Sequence, residues 1–157
     1  MDIKIEKDLQ KRSITFLKKL YPVVQDAGYD INITDELRDA VSKIACSDTV
    51  LLKQECVAGK MLFDVYTDDE IISAIEPAVY RNTVFVNNEN NVEKYIKLMN
   101  DELEYRKSDV EWLLNSSSKY LNDKVMSYHI DIINCCPNTT MLMLLLAFNK
   151  MESQGII

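Results

Sequence analysis

The side chains best suited to chemistry lie close together near the end of the chain. The only histidine, His129, precedes an adjacent cysteine pair, Cys135 and Cys136, and two further cysteines, Cys46 and Cys56, lie much earlier. Histidine and cysteine bind zinc, but structural zinc sites use cysteine pairs separated by about two to four residues, a spacing that is absent here. The sequence therefore predicts no metal site, a packed histidine, and reduced thiols rather than a disulfide.

A run of carboxylates is the second group that could hold a metal ion. Asp68, Asp69 and Glu70 follow Thr67 directly. However, a threonine followed three residues later by a glutamate forms a capping box, in which each side chain accepts a hydrogen bond from the other residue's backbone amide. We therefore interpret this acidic run as the beginning of a helix rather than as a metal site.

The sequence contains no catalytic signature. It has neither a glycine-rich phosphate loop nor a G-x-S-x-G motif, and its single histidine lies in no Cys/His motif. The neighbouring carboxylates Asp101, Glu102 and Glu104 would point in different directions on a helix. We predict no catalytic residue and no cofactor, while an enzyme with an unrecognised helical active site remains an alternative.

Composition predicts an all-α protein. The chain has 157 residues, 47% apolar and 27% charged, which is typical of a globular protein. Its length fits one domain, so we predict a single helical domain over residues 1–157. Only three glycines and three prolines are present, and this scarcity indicates long regular elements. The abundant leucine, lysine, glutamate and methionine favour helix over sheet.

The net charge of −7 is concentrated in one part of the chain. Residues 21–80 contain four basic and twelve acidic side chains. Such a surface repels phosphate backbones, so we predict no nucleic-acid partner. The longest apolar run, Met141–Phe148, has eight residues, whereas a bilayer span needs about 20, and the first residues lack an apolar signal segment. These features predict no membrane partner and a cytoplasmic location, in the producing cell or in a host cell.

Apolar periodicity predicts about seven helices. We expect the first over 5–27, with a kink or a break near Tyr21 because of Pro22 and a stop at Gly28. We expect the second from the N-cap Thr34. We expect the fourth helix to end near Pro77, and residues 83–86 to form an extended connector. The last helix should be the centre of the bundle because Met141–Phe148 is apolar on every side. The remaining helices should carry residues 50–65, 89–115 and 121–133, with caps near 47–48 and 115–118.

The helix over residues 89–115 carries apolar side chains at coiled-coil spacing, with Arg106 interrupting the series. This seam would pack either inside the protein's own bundle, which we favour, or against a second copy in a homodimer. The apolar positions are Val92, Ile96, Met99, Leu103, Val110 and Leu113.

These observations predict a non-enzymatic intracellular regulator or inhibitor of the immunity-protein or viral or bacterial antagonist type. Its partner would be another protein, with a basic surface that meets the acidic residues between 21 and 80. A structural subunit that self-associates through helix 89–115 is the other alternative, although a monomer is favoured. The candidate protein-binding residues are Asp35, Glu36, Asp39, Asp68, Asp69 and Glu76.

Overall fold

A computed structural model describes residues 3–28, 34–45, 49–87, 92–115 and 121–157 of the chain. These residues form seven α-helices and contain no strand, which confirms the predicted all-α bundle. The helices are α1 (Ile3–Asp26), α2 (Asp35–Ala45), α3 (Thr49–Val65), α4 (Asp68–Asn87), α5 (Val92–Leu114), α6 (Leu121–Cys135) and α7 (Pro137–Ser153).

One buried apolar cluster contains side chains from all seven helices. α5 packs against α2, α3, α6 and α7, and α6 packs against α3, α4, α5 and α7. Each helix directs an apolar stripe into this cluster, because residues three and four positions apart share one face of a helix. Leu20, Ile71, Met99, Leu113 and Met141 are among the largest side chains that are fully enclosed.

Three predicted helix ends are confirmed, two by capping hydrogen bonds and one by a positive φ angle. The Leu37 amide donates to Thr34 Oγ1 at 3.2 Å. The Thr67 amide donates to Glu70 Oε1 at 3.1 Å and the Glu70 amide donates to Thr67 Oγ1 at 3.3 Å, so the capping box forms. Gly28 has a positive φ of 75° and ends α1. The caps expected at 47–48 and 116–118 lie outside the described residues.

Both prolines that were expected to interrupt helices lie inside them. α1 continues through Pro22 to Asp26, and α4 continues through Pro77 to Asn87. The predictions that α4 ends at Pro77 and that residues 83–86 are extended are therefore wrong. Tertiary contacts explain the continuation, because Ala78 and Val79 are buried beyond the proline.

Polar contacts with α6 also hold the second half of α4 in place. Asn82 Nδ2 donates a hydrogen bond to the Ile133 carbonyl at 2.5 Å, and an Arg81 guanidinium nitrogen donates to Asn134 Oδ1 at 2.9 Å. These contacts offset the local cost of the proline, which removes one hydrogen bond from a helix interior.

α7 is buried near both ends and only half-buried along its middle. Met141, Leu142 and Phe148 are buried against its neighbours α2, α4, α5 and α6, whereas residues 143–147 are half-buried. The expectation that protein surrounds this helix on every side is therefore not met along residues 143–147. Residues 143–147 keep part of their apolar surface exposed, and we call them the apolar strip of α7.

Candidate functional site

His129 is a packed side chain on α6. Its Nε2 lies 3.2 Å from the Ala58 carbonyl oxygen, which can only accept, so Nε2 carries the proton and donates. Burial lowers the pKa of His129 to about 4, and the hydrogen bond to Ala58 only partly opposes this shift. His129 is therefore neutral near pH 7 and ties α6 to α3.

The cysteine pair marks the sharp turn between α6 and α7. The Cys136 thiol is buried and donates to the Glu102 carbonyl at 3.5 Å, and burial raises its pKa to about 12. Cys135 is exposed and Cys56 is half-buried, while Cys46 lies outside the described residues. Across the residues that the structure describes, no three His, Cys, Asp or Glu side chains assemble as a metal-binding group.

Glu102 is a buried carboxylate with a structural task that its sequence neighbours do not reveal. Cys136 holds the N-cap position of α7 without a side-chain cap. Glu102, from α5, accepts hydrogen bonds from the Asn138 amide and side chain at 3.1 and 2.9 Å, and from the Thr139 amide at 2.7 Å. The Thr139 hydroxyl also donates to it. A carboxylate from another helix therefore caps α7, where the helix dipole also favours negative charge.

A buried ion pair explains the basic interruption in the α5 seam. Arg106 donates through Nε to Glu55 Oε1 at 2.8 Å and through a terminal nitrogen to Oε2 at 2.5 Å, a bidentate contact between α5 and α3. The seam residues Met99, Val110 and Leu113 are fully buried in the chain's own core. At these three positions the coiled-coil spacing serves intramolecular packing, whereas Ile96 and Leu103 are half-buried.

Asp68 belongs to the interior rather than to an acidic docking surface. It is buried and forms ion pairs with Arg12 and with Lys19, whose Nζ lies 3.2 Å from Oδ2. Burial opposes ionisation of Asp68, but the hydrogen bonds from Arg12 and Lys19 prevail and lower its pKa. This candidate therefore links α4 to α1 and is not available to a partner.

The other five acidic candidates lie at the surface in two groups. Asp35, Glu36 and Asp39 are exposed on α2, and on α4 Asp69 is exposed and Glu76 half-buried. α2 packs mainly on α5 and α7, whereas α4 packs mainly on α1, α6 and α7. Among the described helices, α2 and α4 do not form one of the more extensive contacts, so the acidic candidates are divided between separate helices.

A groove of about 380 Å³ runs between α2 and α5, and we call it the α2–α5 groove. Its lining combines two of the predicted acidic residues with apolar side chains and one lysine: Glu36, Asp39, Ala40, Lys43, Ile44 and Ile96. The α2 residues recur at steps of three and four, so their common face was readable in the sequence. The contribution of Ile96 was not, because it depends on how α2 packs on α5.

A second concave surface lies among α3, α5, α6 and α7, with a volume of about 260 Å³. Its apolar lining includes Tyr128, Ile132, Met143 and Leu144, and the Glu55–Arg106 ion pair also lines it. Burial raises the pKa of Tyr128, so that phenol stays protonated. The apolar strip of α7 forms one side of this surface.

Comparison of the chain with models of known protein families, with curated proteins and with solved structures finds no match. Among the described residues no single helix is long and apolar enough to cross a bilayer, and α6 with α7 reach that length and hydropathy only as a pair bent by 97°.

Proposed function

We propose that the protein is a non-enzymatic intracellular regulator or inhibitor that binds a basic partner protein through the acidic side chains of α2. The observation that carries the proposal is the exposure of Asp35, Glu36 and Asp39 on one short helix. Arg38 approaches Asp35 at 3.9 Å, and the carboxylates of Glu36 and Asp39 face solvent. Their negative charge is therefore accessible to a partner protein.

A substitution of Asp39 should affect partner binding with less effect on helix stability than a substitution of Asp35 or Glu36 would have. Asp35 and Glu36 lie in the first turn of α2, where acidic side chains also stabilise the helix dipole. Asp39 lies beyond that turn, so the dipole does not account for it. Exposed carboxylates contribute little to stability but raise the rate at which a basic partner is captured.

The alternative functions draw less support from the described residues. Self-assembly through α5 would use an exposed seam, yet Met99, Val110 and Leu113 are buried inside one chain. An enzyme would use the reactive groups, yet His129 and Cys136 hold structural hydrogen bonds. Burial lowers the pKa of His129, which makes it a weak base, and raises the pKa of Cys136, which keeps the thiol protonated and poorly nucleophilic. These observations favour partner binding. The location that we propose for it is the cytoplasm of the producing cell or of a host cell.

Affinity capture from cytosolic extracts with charge-reversed variants tests this proposal. The bait proteins are the wild type, Asp39→Lys and the control Glu111→Lys, which makes the same charge change at an exposed position on α5. We expect a basic protein to be captured by the wild type and by Glu111→Lys and to be lost from Asp39→Lys. Its association rate should fall at least about tenfold as salt is raised from roughly 0.05 to 0.5 M.

Binding that is equal for Asp39→Lys and the wild type, with no dependence on salt, would contradict the proposal. The acidic side chains of α2 would then only solvate the surface.

A further inference from the structure

We infer that the α2–α5 groove binds an amphipathic helix whose basic end meets Glu36 and Asp39 and whose acidic end meets Lys43. This inference rests on the proposed function and specifies the kind of partner segment. It follows from three features of the groove. The floor is apolar, the charged residues of α2 that line the groove change from acidic to basic along the helix, and both walls are α-helices with no open strand edge.

The floor of the groove is apolar and only partly covered by the protein itself. Ala40 and Ile44 lie one turn apart on α2, and Ile96 faces them from α5. All three side chains are half-buried, so each still has apolar surface that a ligand would remove from water. A ligand with charge alone would leave this surface uncovered, whereas a row of leucine side chains would cover it.

The charges along α2 change sign in a fixed order. Glu36 and Asp39 line the groove near the beginning of the helix, and Lys43 lines it near the end. At 1.5 Å of rise per residue, Glu36 and Lys43 lie about 10 Å apart along the axis, roughly two turns. A helix lying in the groove meets these charges with lysine or arginine at one end and glutamate or aspartate two turns away.

The walls explain why the ligand is a helix rather than an extended strand. α2 and α5 satisfy their backbone groups internally, so the groove offers no open edge for strand addition. Ridges of side chains on a third helix fit the channel between two packed helices. The concave surface among α3, α5, α6 and α7 is more apolar, but nothing in the structure shows what covers it.

The test uses a synthetic helical peptide of about 16 residues, a length that a capped helix needs to form in water. The ordered peptide has leucines along one face, two lysines in its first turn and a glutamate two turns later. One control peptide replaces the leucines with serine, and a second reverses every charge. Binding is measured by fluorescence anisotropy, and the site is mapped by NMR chemical shifts.

We expect the ordered peptide to bind the wild type, to shift the amide signals of α2 and α5, and to bind at least tenfold more weakly to Glu36→Lys/Asp39→Lys. The charge-reversed peptide should bind the triple variant Glu36→Lys/Asp39→Lys/Lys43→Glu and not the wild type. The serine peptide should lose most of the affinity. Glu111→Lys should behave as the wild type does.

Lys43→Glu separates ordered docking from general attraction to an acidic surface. The inference predicts that this variant binds the ordered peptide several-fold more weakly, because the peptide glutamate then meets a like charge. General attraction predicts stronger binding, because the surface becomes more negative.

Stronger binding by Lys43→Glu, full affinity of the serine peptide, or no binding to the wild type overturns the groove inference. In each of these cases the proposed function still stands if capture of the native partner depends on Asp39. If that capture is insensitive to Asp39→Lys, the proposed function fails as well.

Discussion

Buried polar side chains in this protein take partners that lie far away along the chain. The Glu102 carboxylate accepts hydrogen bonds from residues 36 and 37 positions later, and Arg106 pairs with a glutamate 51 positions earlier. Asp68 pairs with Arg12 on another helix. Each contact fixes the position of one helix against another, because an unpaired polar group in the interior is costly.

We predict that Glu102→Ala lowers the free energy of unfolding by about 3 kcal/mol or more. It leaves the buried donors of Asn138 and Thr139 without an acceptor, at about 1–3 kcal/mol for each unsatisfied group. Glu102→Gln keeps one acceptor oxygen and should lose about half as much. Urea unfolding followed by circular dichroism measures the change, with the exposed Glu104→Ala as a control expected within about 0.5 kcal/mol. Equal stability of all three variants would show that α7 does not need this cap.

We predict a pH-dependent loss of stability that depends on His129. Above pH 6.5 this side chain is neutral in both states. Below that pH the unfolded chain binds a proton at His129 that the folded protein, with a pKa of about 4, does not bind. The free energy of unfolding should therefore fall as the pH drops from about 6.5 to 4, by up to about 3 kcal/mol.

His129→Gln isolates this contribution, because glutamine keeps a donor for the Ala58 carbonyl and does not titrate. Carboxylates titrate in both proteins and cancel in the difference between their unfolding curves. A wild type that parallels His129→Gln from pH 7 to pH 4 would show that the histidine is not buried as neutral imidazole.

The residues that sequence reasoning interpreted correctly are those whose partners are local. Thr67 and Glu70 cap each other three residues apart, and Gly28 ends the helix that precedes it. The tasks of Asp68 and Glu102 could not be predicted in this way. In the sequence, nothing distinguishes these two carboxylates from the exposed ones. Only the packing of helices decides which carboxylates become buried.

At the scale of whole helices, local sequence patterns predicted where the helices lie, whereas tertiary packing determined where α4 ends. Apolar periodicity located all seven helices, but the interior proline of α4 was interpreted as an end. Proline is strongly unfavourable in an isolated helix, yet Ala78 and Val79 follow Pro77 into the core. Contacts with α6 thus override a local preference, and no nearby residue signals them.

We predict that Pro77→Ala stabilises the protein by about 1–2 kcal/mol. Alanine restores a backbone amide in the helix interior and removes the steric conflict of the ring, although the more flexible unfolded chain offsets part of the gain. Pro77 is exposed, so little packing is lost. Thermal unfolding compares this variant with Pro137→Ala, which changes a proline at the first turn of α7, where proline is favoured.

Pro137→Ala should leave stability unchanged or lower it slightly. A loss of stability in Pro77→Ala would instead show that the fold needs a bend in α4 at this residue.

The two faces of α7 should respond differently to truncation. Leu142 is fully buried, whereas Leu144 is half-buried beside the concave surface among α3, α5, α6 and α7. Leu142→Ala should lower the free energy of unfolding by about 2–5 kcal/mol, and Leu144→Ala by less than about 1.5 kcal/mol. Denaturant unfolding of both variants measures this. Equal losses would mean that protein surrounds α7 on both faces.

At the scale of the whole molecule, composition and periodicity were enough to predict an all-α bundle, but not its surface. The candidate acidic residues form one group in the sequence but lie on two helices, α2 and α4, whose main neighbours differ except for α7. One of them, Asp68, becomes part of the interior. Surface function depends on which helix faces meet, and that arrangement is set by long-range packing rather than by local propensity.

We predict that the purified protein is a monomer at micromolar concentration. Three seam side chains of α5, Met99, Val110 and Leu113, are buried in the chain's own core, and a net charge of −7 disfavours association of identical chains. Light scattering coupled to size-exclusion chromatography measures the mass, which should match 18.1 kDa. Met99→Asp, at a fully buried seam position, should unfold the protein, since it places a charge in the core.

A dimer of the wild type that Met99→Asp converts into a folded monomer would contradict this prediction and restore α5 as an assembly helix. A dimer that survives changes in α5 would have to use other exposed apolar side chains. Val50 and Val57, two turns apart on α3, are the first to test, because they are 64% and 42% exposed. If the protein forms such a dimer, replacing both valines by serine should yield a folded monomer. If it is the predicted monomer, the same two changes should leave its mass and stability almost unaltered, because neither side chain is part of the core.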